Sequence, residues 1–180
     1  GFKAQSAVTT RPVLGTANGY QHVWVDASGE PSTEARSLTW LLDGRFYTYR
    51  FASTAPSRAL IGESGANDPS FNLRREPLLL QRVDGQASTT FYGVLEPHGQ
   101  YDGTAETVRG ANSRIDAITH YRGKDASVLV LALAGGKRVA LGVADDPSKG
   151  GTHEVSGNGQ RWTWTGGWKR FDTASGKDGK

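Results

Sequence analysis

Two short stretches carry side chains of the kind that move protons or hold anions. In Glu96-Pro97-His98-Gly99-Gln100-Tyr101 a carboxylate, an imidazole and a phenol lie close together in the chain. A His and a Tyr can act as base and acid where a proton is removed next to a carboxylate. The same pair can equally pack on the domain or face solvent, because proximity in sequence says little about catalytic geometry. Upstream, Asn67-Asp68-Pro69 and Phe71-Asn72-Leu73 lead into Arg74-Arg75-Glu76. Asp-Pro marks a turn. In extended chain successive side chains point opposite ways, so one of the two arginines can face inward. One can pair with Glu76 or Asp68 and fix the loop, while the other can bind an anionic group. Arg74, Arg75, His98 and Tyr101 are therefore the candidate substrate-binding residues; none is assigned as catalytic or as a metal ligand.

Other chemistry finds less support. The histidines His22, His98, His120 and His153 show no H-x-H or H-E-x-x-H spacing, and the chain has no Cys for a thiolate site. There is no G-x-S-x-G, no phosphate-binding glycine loop and no dinucleotide fingerprint. Asp145 and Asp146 are paired carboxylates, but adjacent acids before Pro147 read as a turn. Trp162, Trp164 and Trp168 would form a sugar-stacking platform if exposed, or the core side of the last strands if buried.

The elements that must position these residues read as β-strands. Ser37–Ser53 is rich in aromatic residues and Thr around Asp43-Gly44, a favoured two-residue hairpin turn. In its second strand Phe46, Thr48 and Arg50 share one face; Tyr47, Tyr49 and Phe51 share the other, which is expected to be the core face. Pro77–Val83, a turn at Asp84-Gly85 and Ala87–Leu95 predict a second hairpin, with Glu96–Tyr101 as a turn-like loop after it. Arg114–Arg122 alternates. Ser127–Ala134 is nearly all apolar, as in a strand buried on both faces. Gly135-Gly136 turns into Lys137–Val143. Asp145–Gly151 is a loop, and Thr152–Ser156, Gln160–Thr165 and Trp168–Phe171 predict a closing meander. Ser32–Ser37 can make one helical turn at most.

This pattern predicts an all-β antiparallel sandwich of about ten strands with little or no helix. At 180 residues a single domain over 11–172 is expected, with small polar tails at 1–10 and 173–180. The 24 Gly residues suit many tight turns. The net charge of +3, with Arg in excess of Lys, permits a polyanionic partner, but no dense basic run points to nucleic acid. No apolar run approaches the roughly 20 residues of a membrane span, so no membrane partner is expected. The chain opens Gly-Phe-Lys and contains no Met, which reads as a processed chain or a piece of something larger. The lack of Cys fits an exported bacterial protein.

Several phrases resemble the C-terminal β-rich part of polysaccharide lyase family 17, the oligoalginate lyases of the heparinase II/III-like group. They are Tyr20-Gln21-His22-Val23-Trp24, Gly44-Arg45-Phe46-Tyr47-Thr48, Gly65-Ala66-Asn67-Asp68-Pro69, Phe71-Asn72-Leu73-Arg74-Arg75 and Glu96-Pro97-His98-Gly99, within Gly15 to Asp146. The resemblance implies a parent with an α-helical toroid followed by β-sheets, acting by β-elimination on uronate chains. It implies that Asn and His of the toroid, with Tyr residues, serve that chemistry. It also implies a zinc site of His and Asp in an upstream sheet region. This chain has neither a toroid nor an H-x-H-x-D-like stretch, so no catalytic residue, metal ligand or cofactor is carried over to it.

The resemblance therefore implies a periplasmic or secreted domain of an alginate lyase that packs against the upstream toroid. Such a domain would brace the cleft and lend a cationic or aromatic contact to anionic oligosaccharide. The alternative is a freestanding carbohydrate-binding module for anionic polysaccharide. A small intact lyase using His98 and Tyr101 is a third reading, and it demands acid, base and carboxylate neutraliser preorganised together.

Overall fold

A computed structural model describes residues 12–65 and 75–173. The expected tail 1–10, residues 174–180 of the other, and Arg74 with the Asn67–Leu73 loop lie outside the described residues; Thr173, expected to begin the C-terminal tail, instead ends a strand. The rest is all-β and antiparallel: fourteen strands in five hydrogen-bonded sheets, with one 3-10 turn, Tyr20–His22. That turn is not at Ser32–Ser37, where Ser32 instead bridges to Ser57 and strand begins at Arg36. Chain contacts divide the protein into two compact units, one drawn from Gly1–Thr33 and Ala55–Thr89, the other from Glu34–Thr54 and Thr90–Lys180.

The first unit holds a three-stranded sheet in the order β1 (Val23–Ser28), β4 (Arg58–Gly65), β5 (Arg75–Arg82). Pro12–Leu14 extends it by pairing along β1, with Leu14 N–H donating to Val23 O at 2.9 Å and Val25 N–H donating to Pro12 O at 2.9 Å. A register slip between Val25 and Ala27 leaves Asp26 as the extra residue of a bulge. Leu60 is the one apolar side chain counted as buried among the described residues of this unit.

The second unit is layered. One sheet runs β2 (Arg36–Leu42), β3 (Arg45–Ser53), β6 (Phe91–His98). A four-stranded sheet runs β14 (Trp168–Thr173), β11 (Arg138–Ala144), β10 (Ala126–Leu133), β9 (Ile115–Arg122). Two hairpins complete it: β7 (Gln100–Asp102) with β8 (Thr107–Arg109), and β12 (Thr152–Gly157) with β13 (Gln160–Thr165). Because successive strand residues point to opposite faces, β10 serves two cores. Val128 and Val130 pack with Val155, Trp162 and Trp164 of the β12–β13 hairpin. Leu129, Leu131 and Leu133 pack with Ala52 of β3 and Tyr92 and Val94 of β6. The apolar run Ser127–Ala134 is thus a strand covered on both sides, as its composition predicts.

Several local expectations change on folding. Asp43 and Gly44 adopt φ of 50° and 71° and close the β2–β3 hairpin, as read from sequence. Asp84-Gly85, by contrast, closes no hairpin: β5 bonds to β4, and β6, which begins only at Phe91, bonds to β3. The closing meander also parts, since β14 pairs with β11 and not with β13. In β9 the register slips between Ala132 and Leu133 of its partner, so Ile115 and Ile118 join one core cluster where strict alternation would separate them. On β3 the expected core face is only part of the interior. Thr48, on the opposite face, is buried too, because a hydrogen bond to His98 satisfies its hydroxyl. Pro77 and Pro97 both lie on strands at the edge of their sheets, where a missing N–H interrupts no ladder.

Candidate functional site

Glu96, Pro97 and His98 are the end of strand β6, not the loop expected from sequence, and Tyr101 lies in β7. Alternation puts Glu96 and His98 on one face, opposite Thr48 and Phe46 of β3. His98 is 7% exposed and stacks on Phe46 with centroids 6.1 Å apart. Its Nδ1–H donates to the carbonyl of Gly110 at 2.9 Å. In the neutral ring, Nε2 then accepts from the Thr48 hydroxyl at 2.8 Å, and Thr48 accepts from Thr39 at 2.7 Å. Both ring nitrogens are committed to protein partners, and the chain of bonds ties β2, β3 and β6 to the residue that follows β8.

The next residue, Gly99, has φ of 52°, and a Cβ there would lie 2.1 Å from Gly110 O. Only glycine fits that close approach. Beyond it Tyr101 is 38% exposed, and its backbone N–H donates to Gly44 O at 2.7 Å. Tyr101 shares a shallow concavity of about 380 Å³ with Gln100, Asp102, Thr107 and Arg109 of its own hairpin.

Glu96 is buried, yet it is a fully bonded carboxylate. It accepts from Ser113 Oγ at 2.6 Å, Arg114 N–H at 3.0 Å and Arg114 Nε at 2.9 Å. Burial alone would push its carboxyl up; the hydrogen bonds from Ser113 and Arg114, with the Arg114 charge, outweigh this and hold it below the usual carboxylate range. Arg114 itself stays 76% exposed. It lines a cleft of about 350 Å³ with Arg45, His98 and Asn112, floored by Gly99 and Gly110. Arg45, Asn112 and Arg114 were not singled out from sequence as binding residues. Arg45 opens a strand directly after a turn and Arg114 lies just before one, a setting that many surface arginines share.

Arg75 belongs to the other unit, at the start of β5. Its guanidinium lies 4.5 Å from the Trp24 ring centroid and 3.7 Å from the Glu63 carboxylate. The expected partners were Glu76 or Asp68. Asp68 lies outside the described residues, and the acid that pairs with Arg75 is Glu63 on the neighbouring strand, which the sequence does not single out. Of the remaining histidines, His120 stacks on Tyr92 at 5.0 Å, and burial, aided by the Arg122 charge, pushes its imidazole down. His153 is buried with Nδ1 3.0 Å from Asp125. Among the described residues no three His, Cys, Asp or Glu side chains come together as metal ligands. Of the paired carboxylates, Asp145 is held by Arg122 through two bonds of 2.5 Å, and Asp146 accepts from Ser148. Trp162 and Trp164 are core, at 4% and 2% exposure, whereas Trp168 is 69% exposed.

No family model matches the chain. It is 59% identical over 180 residues, its whole length, to a protein of Stenotrophomonas maltophilia (strain K279a) named alginate lyase. It is 36% identical over 168 residues, 92% of its length, to the exo-oligoalginate lyase of Saccharophagus degradans. Those matches span 24% and 23% of the two relatives, so the chain corresponds to about a quarter of each.

Proposed function

We propose that this chain is the C-terminal β-domain of a bacterial alginate lyase of polysaccharide lyase family 17, exported to the periplasm or beyond. In this reading the parent cleaves polyuronate by β-elimination, with the chemistry in an upstream α-toroid. The present domain braces that part and adds a cationic contact to substrate. The observation that carries the reading is identity along the whole chain to a protein named alginate lyase that is about four times as long. The site geometry agrees with an accessory role. His98 is enclosed with both nitrogens bonded, and Glu96 is held ionised by Arg114 and Ser113, so neither is poised to exchange a proton with a substrate.

The deciding experiment compares the full-length parent, the parent lacking this domain and the isolated chain, following the ultraviolet absorbance of unsaturated product from oligoalginate. The full-length protein is expected to be active, the isolated chain to give no product, and the truncated parent to be impaired. Product from the isolated chain, or an undiminished rate after truncation, overturns the accessory role. The second reading, a carbohydrate-binding module, is favoured by one feature. The cleft at Arg45 and Arg114 is built entirely from residues of the second unit, so it needs no other domain to exist.

A further inference from the structure

We propose that the cleft between Arg45 and Arg114 is a subsite for one carboxylate of a uronate chain, an inference that rests on the polyuronate reading above. Two guanidinium groups from distant segments, one at the start of β3 and one in the loop just before β9, line one concavity together with Asn112. Arginine presents planar, donor-only forks that match a carboxylate in two-point contact. A site of this composition selects an anionic sugar over a neutral one.

The two arginines are differently prepared. Arg114 is aimed: its Nε is bonded to Glu96, whose other oxygen is fixed by Ser113 Oγ and by the Arg114 backbone N–H. That leaves the terminal nitrogens of Arg114 without a hydrogen bond to any described residue. Arg45 has neither an ion pair nor a side-chain hydrogen bond among the described residues. The ionised carboxylate of Glu96 offsets one of the two guanidinium charges, and the excess positive charge that remains suits a single carboxylate. The floor is equally prepared. Gly99 and Gly110 present bare backbone, and His98 pins the Gly110 carbonyl from below. Glu96 and His98 are thus positioning residues; Arg45, Asn112 and Arg114 are the contacts.

The test is calorimetric titration of the 180-residue chain with alginate oligomers, with the same oligomers after carboxyl reduction, and with polygalacturonate oligomers. Alginate is expected to bind, with affinity falling as salt rises, and the reduced oligomers are expected not to bind. Arg45→Ala and Arg114→Ala should each weaken binding by about tenfold, the order expected for one charge-assisted contact. Arg45 is exposed and bonds to no described side chain, so Arg45→Ala should leave circular dichroism and the urea midpoint unchanged. Arg114→Ala also strips a partner from buried Glu96, so its urea midpoint should fall while its circular dichroism stays native, and its binding is read where it is fully folded. Glu96→Gln separates alignment from charge. Removing a negative charge would tighten anion binding by electrostatics alone, whereas loss of Arg114 alignment weakens it, and weakening is the expected result. Unchanged binding in both arginine variants, equal binding of the reduced oligomers, or no binding of any polyuronate overturns the subsite. Binding of polygalacturonate but not alginate, abolished in the arginine variants, keeps the subsite and removes the alginate reading.

Discussion

Glu96 shows how one buried charge can organise a surface. Its carboxylate is enclosed, and hydrogen bonds from Ser113 and Arg114 offset the cost of taking it out of water. Its folded-state pKa lies below the ordinary value of 4.5, so ionised Glu96 contributes stability at pH above that value. That contribution is lost as pH falls from 4.5 through the folded-state pKa. Glu96→Gln should therefore lower stability at pH 7 by about 1.5–3 kcal/mol, the range for hydrogen bonds to a charged group. The gap to the parent sequence should narrow as the pH drops below 4.5. Urea denaturation at several pH values checks this, and a gap that is constant or widens on acidification would refute it. The sequence placed Glu96 beside His98 and Tyr101, but its partners Ser113 and Arg114 come from a distant segment and left no local mark.

At the scale of the element, three tryptophans of similar sequence setting meet different fates. Trp162 and Trp164 alternate on β13 and are both drawn into the core shared with Val128 and Val155. Trp168 opens β14, which joins β11 instead of β13, and it faces solvent beside Val143. Trp164→Ala should cost about 3–5 kcal/mol through the cavity it leaves. Trp168→Ala should stay within about 0.5 kcal/mol, as for a surface side chain. Chemical denaturation followed by far-ultraviolet circular dichroism distinguishes them, and equal costs would contradict the burial pattern. Strand positions were legible here because alternation and turn chemistry are local. Strand partners were not, since Asp84-Gly85 and Gly166-Gly167 look like hairpin turns yet precede strands that bond elsewhere.

For the molecule as a whole, the two units differ in how much apolar side chain they enclose. The second has two clusters around β9 and β10, while the first buries Leu60 alone among its described apolar residues. Backbone amides of β9, β10 and β11 should therefore exchange with deuterium more slowly than those of β1, β4 and β5, because slow exchange follows the densest apolar core. Equal protection in both sets would show that the units open together. The amino-acid sequence by itself left open whether Trp162 and Trp164 are buried, but determined the all-β class, the Asp43-Gly44 hairpin and the doubly covered strand β10. These rest on period-two alternation, turn residues and side-chain hydrophobicity, all of which act over a few neighbouring residues. Tertiary structure alone decided that β14 pairs with β11, that His98 is sealed by Thr48 and Gly110, and that Arg45 and Arg114 share one cleft. Each of these is a meeting of segments far apart in the chain, set by which strands share hydrogen bonds and which faces share a core.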